Sequence, residues 1–195
     1  MARRSRRGDR SATGIIASVT IRIVSLCATL LVASAGTASA QASPPASAAV
    51  TIDGKILSVK YSAPSVRGRK IFGDGGLLSR DLTYPAWRGG ANDATAFHTD
   101  ANLDIAGLAV PKGNYTLYIW VKDPEAWQLI VNKQTGQWGD SYNASQDVGR
   151  VRMTMSTPPV LVERLKYILA DKGGGKAELR LEWERHVAAV AIALK

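Results

Sequence analysis

From Val50 to Leu194 the chain falls into short runs of alternating apolar and polar residues, separated by Gly, Pro, Asn and Asp. A period of two marks strands that bury one face and wet the other. Tyr115, Leu117, Ile119 and Val121 lie on one side of such a run, and Thr116, Tyr118 and Trp120 on the other. Leu179, Leu181 and Trp183 alternate with Arg180, Glu182 and Glu184 in the same manner, and Trp127, Leu129 and Val131 make another inner row. Turn chemistry sits between the runs: Asp53-Gly54, Pro111 to Asn114, Asp123-Pro124-Glu125, Gly173 to Gly175 and Glu184 to His186. Val187 to Leu194 is alanine-rich and helix-compatible, but it follows a strand and a three-residue turn, which favours a hairpin partner. Pro159 to Leu169 fits a helix through Leu161, Leu165 and Leu169 and a strand through Leu165, Tyr167 and Leu169. The pattern predicts an all-β fold: an antiparallel β-sandwich or jelly-roll-like domain of about nine strands with at most one short helix. Ser62 to Ala91 is the one long irregular stretch, expected to be functional or a crossing between sheets.

The first 40 residues have a different pattern. Arg3, Arg4, Arg6, Arg7 and Arg10 precede an apolar run densest from Ile23 to Ala33, and Ala38-Ser39-Ala40 closes it. A basic start, a short apolar core and an A-x-A site read as a cleavable secretory signal, residues 1–40. The expected address is the periplasm or the outside of the cell. Residues 41–49 read as a flexible lead, and 50–195 as a single sandwich domain. The signal takes six of the 25 basic and one of the 16 acidic residues, so the formal charge of +9 falls to +4 in the remaining 155 residues. Those charges alternate in sign, which argues against a nucleic-acid partner. The one cysteine, Cys27, lies in the signal, so the mature chain has no disulfide and no thiolate chemistry. No membrane span is expected after cleavage, and oligomeric state is not encoded legibly.

Two segments gather groups that can hold a ligand. In the first, Ser65, Arg67 and Arg69 crowd donors onto a loop turned by Pro64 and Gly68, and paired guanidinium forks suit carboxylates and phosphates. In the second, Trp87, Arg88, Asn92, Asp93, Thr95 and His98 supply an aromatic, a cation, an amide, a carboxylate, a hydroxyl and an imidazole. A tryptophan beside such groups is a common way to hold a sugar. The bland reading of both is a polar network that pins loop to sheet. No G-x-S-x-G elbow and no H-x-H or H-E-x-x-H spacing is present, so no metal, cofactor or catalytic residue is assigned. Tyr118, Trp120, Trp138 and Tyr142 form either an aromatic platform or a sheet rim.

Three segments carry a family resemblance: Tyr61 to Gly73 (YSAPSVRGRKIFG), Trp87 to Thr95 (WRGGANDAT) and Asn132 to Tyr142 (NKQTGQWGDSY), with Pro111 to Tyr118 (PKGNYTLY) between the last two. In this order and spacing the chain resembles the secreted bacterial family known as domain of unknown function 2911, over about Val50 to Leu194. Asp93 stands where that family more often has Glu, and Gly89 where Thr is common. The resemblance implies an exported β-sandwich-like domain and assigns no chemistry. Three functions are therefore carried forward. One is a binding module for a small polar, anionic or saccharide-like ligand, with no cofactor. Another is a metal-independent hydrolase using Asp93 or His98 as general base. The last is a structural envelope or protein-interaction domain.

Overall fold

Asp53 and Gly54 both take positive φ, 48° and 72°, the geometry of a type I′ turn. They join β1 (Pro45–Ile52) to β2 (Lys55–Ser62) with Ile52 opposite Lys55. The computed structural model describes residues 43–195, so the expected signal, residues 1–40, lies outside the described residues. The lead expected over 41–49 is shorter than the sequence suggested, because β1 begins at Pro45. Its small residues alternate, and Ala46, Ala48 and Val50 pack against the core while their neighbours face water.

The remaining strands are β3 (Ala86–Trp87), β4 (Thr95–Thr99), β5 (Leu103–Ile105), β6 (Leu108–Val110), β7 (Gly113–Trp120), β8 (Gln128–Asn132), β9 (Asp147–Arg152), β10 (Thr154–Ser156), β11 (Val162–Gly173), β12 (Lys176–Glu184) and β13 (His186–Leu194). Nine of the thirteen described strands have five residues or more, and the other four are two- or three-residue pieces too short to show a period. The fold is all-β, with two three-residue 3-10 turns, Leu78–Arg80 and Ala144–Gln146. One antiparallel sheet runs β1-β2-β4-β7-β8-β9, with β3 beside the far half of β7; the other runs β11-β12-β13-β5-β6, with β10 also on β13. Pro159 to Leu169 resolves as the lead into β11, whose Leu165, Tyr167 and Leu169 point inward, because β12 and the core complete a strand's requirements there.

Leu57, Val59, Phe97, Leu117, Ile119, Leu129 and Val131 from the first sheet meet Leu165, Leu179, Leu181, Val190 and Ile192 from the second in one core. At one end of that core the rings collect around Phe72. It lies 6.0 Å from Trp87 of β3, 4.6 Å from Trp127, 5.7 Å from Trp183 of β12 and 4.7 Å from His186 of β13. Trp87 and Trp183 stack across the sandwich at 5.4 Å, and His186 stacks on Trp127 at 5.1 Å. Phe72 belongs to no strand. It is delivered by the long loop, which therefore fills the end of the sandwich that the strands leave open.

Phe72→Ala should cost about 3–5 kcal/mol, as expected for removing a buried ring that its neighbours cannot replace. Urea unfolding followed by tryptophan fluorescence measures it. A loss below 1 kcal/mol would show that the loop does not close the core.

Candidate functional site

The chain leaves β2 at Ser62 and crosses to the second sheet. Val66 N–H donates to the Glu163 carbonyl at 2.8 Å, Leu165 N–H to the Pro64 carbonyl at 2.9 Å, and Ser65 forms an antiparallel bridge with Arg164. It then turns inward at Ile71-Phe72, folds back through Leu77-Leu78 and re-enters the first sheet at β3. The stretch that stood out as irregular is thus a crossing between sheets that also carries core residues.

Between this loop and the next lies a largely apolar cavity of about 320 Å³. Trp87 and Trp183, each 1% exposed, form its base, Leu77 and Leu78 one side, and Arg80, Asp81, Arg88 and Asn92 its polar margin. The Trp87 indole N–H donates to the Gly90 carbonyl at 2.9 Å. Trp183 is different: its buried indole N–H has no partner among the described residues. Trp87 is consequently not the exposed stacking platform that the sequence suggested, because it is buried with Trp183 stacked on its ring.

Arg88 reaches back to Asp81, Nη2 to Oδ2 at 2.8 Å, with the two side chains 14% and 13% exposed. Its Nη1 also donates to the Asn92 carbonyl at 3.3 Å. That carbonyl takes the Gly139 N–H as well, at 3.1 Å, and a side chain at Gly139 would collide with Arg88. Asp93, exposed, pairs by backbone with Trp138, and Ala94 N–H donates to Gln137. The segments Trp87–Thr95 and Asn132–Tyr142 therefore lie side by side. Thr95 is buried beneath them. On the other flank Tyr167 of β11 donates its hydroxyl to the Gly89 carbonyl at 3.0 Å, and burial pushes that phenol's pKa well up. Gly89 has φ of 64°, and any Cβ there would strike the Tyr167 hydroxyl.

His98 points the other way from Thr95 and Phe97, as the alternation required, onto the outer face of the first sheet. It lines a separate cavity of about 370 Å³ with Ser58, Lys60 and Asn114. Its Nδ1 meets Asn114 Oδ1 at 2.8 Å and its Nε2 meets Asp100 Oδ1 at 3.0 Å. Two acceptors favour the protonated ring, so its pKa is raised, by Asn114 first and Asp100 next. Asp100, which also accepts the Ile56 N–H, is shifted down. Of the two residues considered as a general base, Asp93 does not line this cavity, and both ring nitrogens of His98 are engaged.

Ser65, Arg67 and Arg69 line a third, small cavity of about 120 Å³ together with Arg164. Seven of the nine candidate residues thus divide among three cavities, and Asp93 and Thr95 line none of them. Sequence reasoning missed Leu77, Arg80 and Trp183 at the first and Arg164 at the third. An apolar Leu77-Leu78 pair inside a polar loop was the available signal for the first; nothing in the sequence announced Arg164. The aromatic platform is also corrected. Tyr118 is fully buried with Ile130 and Ala86 beneath the loop that follows β8, its ring 4.7 Å from Tyr142, and Arg150 covers Trp120 at 4.7 Å. Among those four aromatics Trp138 is the exposed one, at 52%.

An open two-sheet antiparallel sandwich, with one end closed by a long crossing loop, is the class that this fold and these cavities define. The chain belongs to the family described as "Protein of unknown function (DUF2911)", which it matches over residues 43–192. No curated protein and no solved structure matches it. Among the described residues no helix is long and apolar enough to cross a membrane, and no three His, Cys, Asp or Glu side chains gather as a metal site would require.

Two expectations follow. Arg88→Met leaves Asp81 without its partner, so it should destabilise the fold by about 3 kcal/mol, and adding Asp81→Asn should recover most of the loss; a double-mutant cycle in urea reads both, and additive losses would deny the pairing. The raised His98 pKa means its contribution to stability is full below the unfolded value of 6.5 and is lost as pH rises through the folded value. An NMR titration should place His98 above 6.5, and Asn114→Ala should bring it back down; an unmoved midpoint in that variant would show that Asn114 is not the cause.

Proposed function

We propose that this chain is an exported binding module, working in the periplasm or outside the cell, whose small polar, anionic or saccharide-like ligand seats over the Trp87–Trp183 stack. Export rests on the basic start, apolar core and Ala38-Ser39-Ala40 site of residues 1–40. The observation that carries the binding reading is Trp183, which lines a cavity with a polar margin and whose buried indole N–H has no partner among the described residues. An unmet buried donor costs about 1–3 kcal/mol. A ligand hydroxyl or carboxylate would recover that cost.

The rest of the cavity supports the same chemistry. At about 320 Å³ it holds a compact molecule, near the lower end of the roughly 300–1,000 Å³ usual for ligand sites. Arg80 is exposed at its margin, held among the described residues only by a 3.4 Å bond to the Gly75 carbonyl. Arg88, fixed by Asp81 and Asn92, presents a positioned cation that needs no reordering when a ligand arrives.

Ligand-detected NMR with neutral and acidic mono- and disaccharides and small carboxylates tests the reading. At least one class should bind, and Ala91→Leu, which fills the cavity, should weaken it by about tenfold or more at nearly unchanged melting temperature. Absence of binding across the set, or equal binding by Ala91→Leu, would overturn it.

A further inference from the structure

We infer that the protein carries a second ligand site, an oxyanion pocket for a phosphate or sulfate group, where the crossing loop meets the start of β11. Its parts come from opposite ends of the domain. Arg67 and Arg69 sit on the turn after β2, and Arg164 lies at the start of β11, bridged by backbone to Ser65. The three guanidinium groups and Ser65 line a mostly polar cavity of about 120 Å³. That is room for one tetrahedral oxyanion and little else. It is separate from the larger cavity over the tryptophans, which none of these residues lines.

The loop is built before any ligand arrives. Arg69 donates from Nε to the Val66 carbonyl at 3.0 Å and from Nη2 to the Ser65 carbonyl at 2.6 Å, so one edge of its fork locks the turn. Arg67 takes a positive φ of 50° and Gly68 one of 65°, a pairing that turns the backbone sharply between the two arginines. The Arg67 N–H is fixed on the Glu163 carboxylate at 2.9 Å. The Arg164 side chain has no hydrogen bond or ion pair to the described residues, although its backbone is held in the bridge. The exposed Arg164 side chain therefore keeps its charge available in a pocket that Arg69 and Ser65 also line, which suits an oxyanion. Planar forks of this kind bind phosphate and sulfate oxygens in pairs.

Titration of the protein with inorganic phosphate, followed by amide NMR against a chloride background of matched ionic strength, provides the test. Amides of Ser65, Arg67, Gly68 and Arg69 should shift and saturate. Arg164→Gln should weaken binding about tenfold and Arg164→Lys by less, since a lysine keeps the charge and loses the fork. Arg80→Gln, at the other cavity, should leave phosphate affinity unchanged. Shifts that chloride reproduces, or that Arg164→Gln leaves intact, would overturn the site. Vesicles containing phosphatidylglycerol separate the sources of the group: co-sedimentation that phosphate competes away points to a lipid headgroup, and phosphate binding without co-sedimentation points to a soluble phosphate ester.

Discussion

The packing of Phe72 between the two sheets is the contact on which the rest depends. Strands alone leave one end of the sandwich open, because β3 contributes only Ala86 and Trp87 there. The loop closes it by inserting one ring among Trp87, Trp127, Trp183 and His186. Aromatic pairs in edge-on or offset geometry add about 0.5–1.5 kcal/mol each beyond burial, and this ring makes four. The same insertion carries a cost. Trp127 and Trp183 are brought too deep for water, and neither indole N–H finds an acceptor among the described residues. A core that closes with tryptophans accepts unmet donors.

Most of the sandwich was legible because period-two alternation survives in strands of five residues or more. Tyr115 to Val121 and Leu179 to Trp183 point as their sequence dictates. Ala86-Trp87, Leu103–Ile105, Leu108–Val110 and Thr154–Ser156 were not legible, since two or three residues cannot display a period. Pro45 to Ala49 was misread for another reason. Alanine and serine alternate without contrast in hydrophobicity, yet hydrogen bonding to β2 and packing of Ala46 and Ala48 hold them as a strand. The candidate site was legible in content and not in arrangement. Which loop Arg67 and Arg69 face depends on Ser65 pairing with Arg164, a contact of long sequence separation that no local pattern encodes.

The segment after β8 explains why the outer aromatics are not a platform. Asn132, buried, donates to the Asn143 carbonyl and to Asp147, and Thr116 donates to the Gln134 carbonyl, so the loop is tied down over the outer face of the first sheet. Tyr118, Ile130 and Ala86 become a small second core under it. Tyr142 closes that core by donating its hydroxyl to Asp147 at 2.7 Å, and burial first, with Asp147 next, pushes its pKa up to about 12. The sandwich is locally three layers deep, which is how an alternating strand such as β7 can be buried on both faces. Further along the same face, around His98, the sheet opens to water.

Arginine density is therefore a poor guide to which charges this fold leaves available, and arginine engagement a better one. Arg88 is committed to Asp81, Arg150 to Asp147 and the Trp120 ring, and the Nε and Nη2 of Arg69 to two carbonyls of its own turn. Each holds a loop in place. Arg80 and Arg164 border cavities with weak or no bonds to the described residues, so their charge is not spent on the fold. The engaged arginines set the geometry of the loops, and the unengaged ones keep their charge at the cavity margins. Residues of one crossing loop line both cavities, and the same loop carries Phe72 into the core. The loop side of each cavity and the closure of the sandwich are in this way properties of the same thirty residues, Ser62 to Ala91.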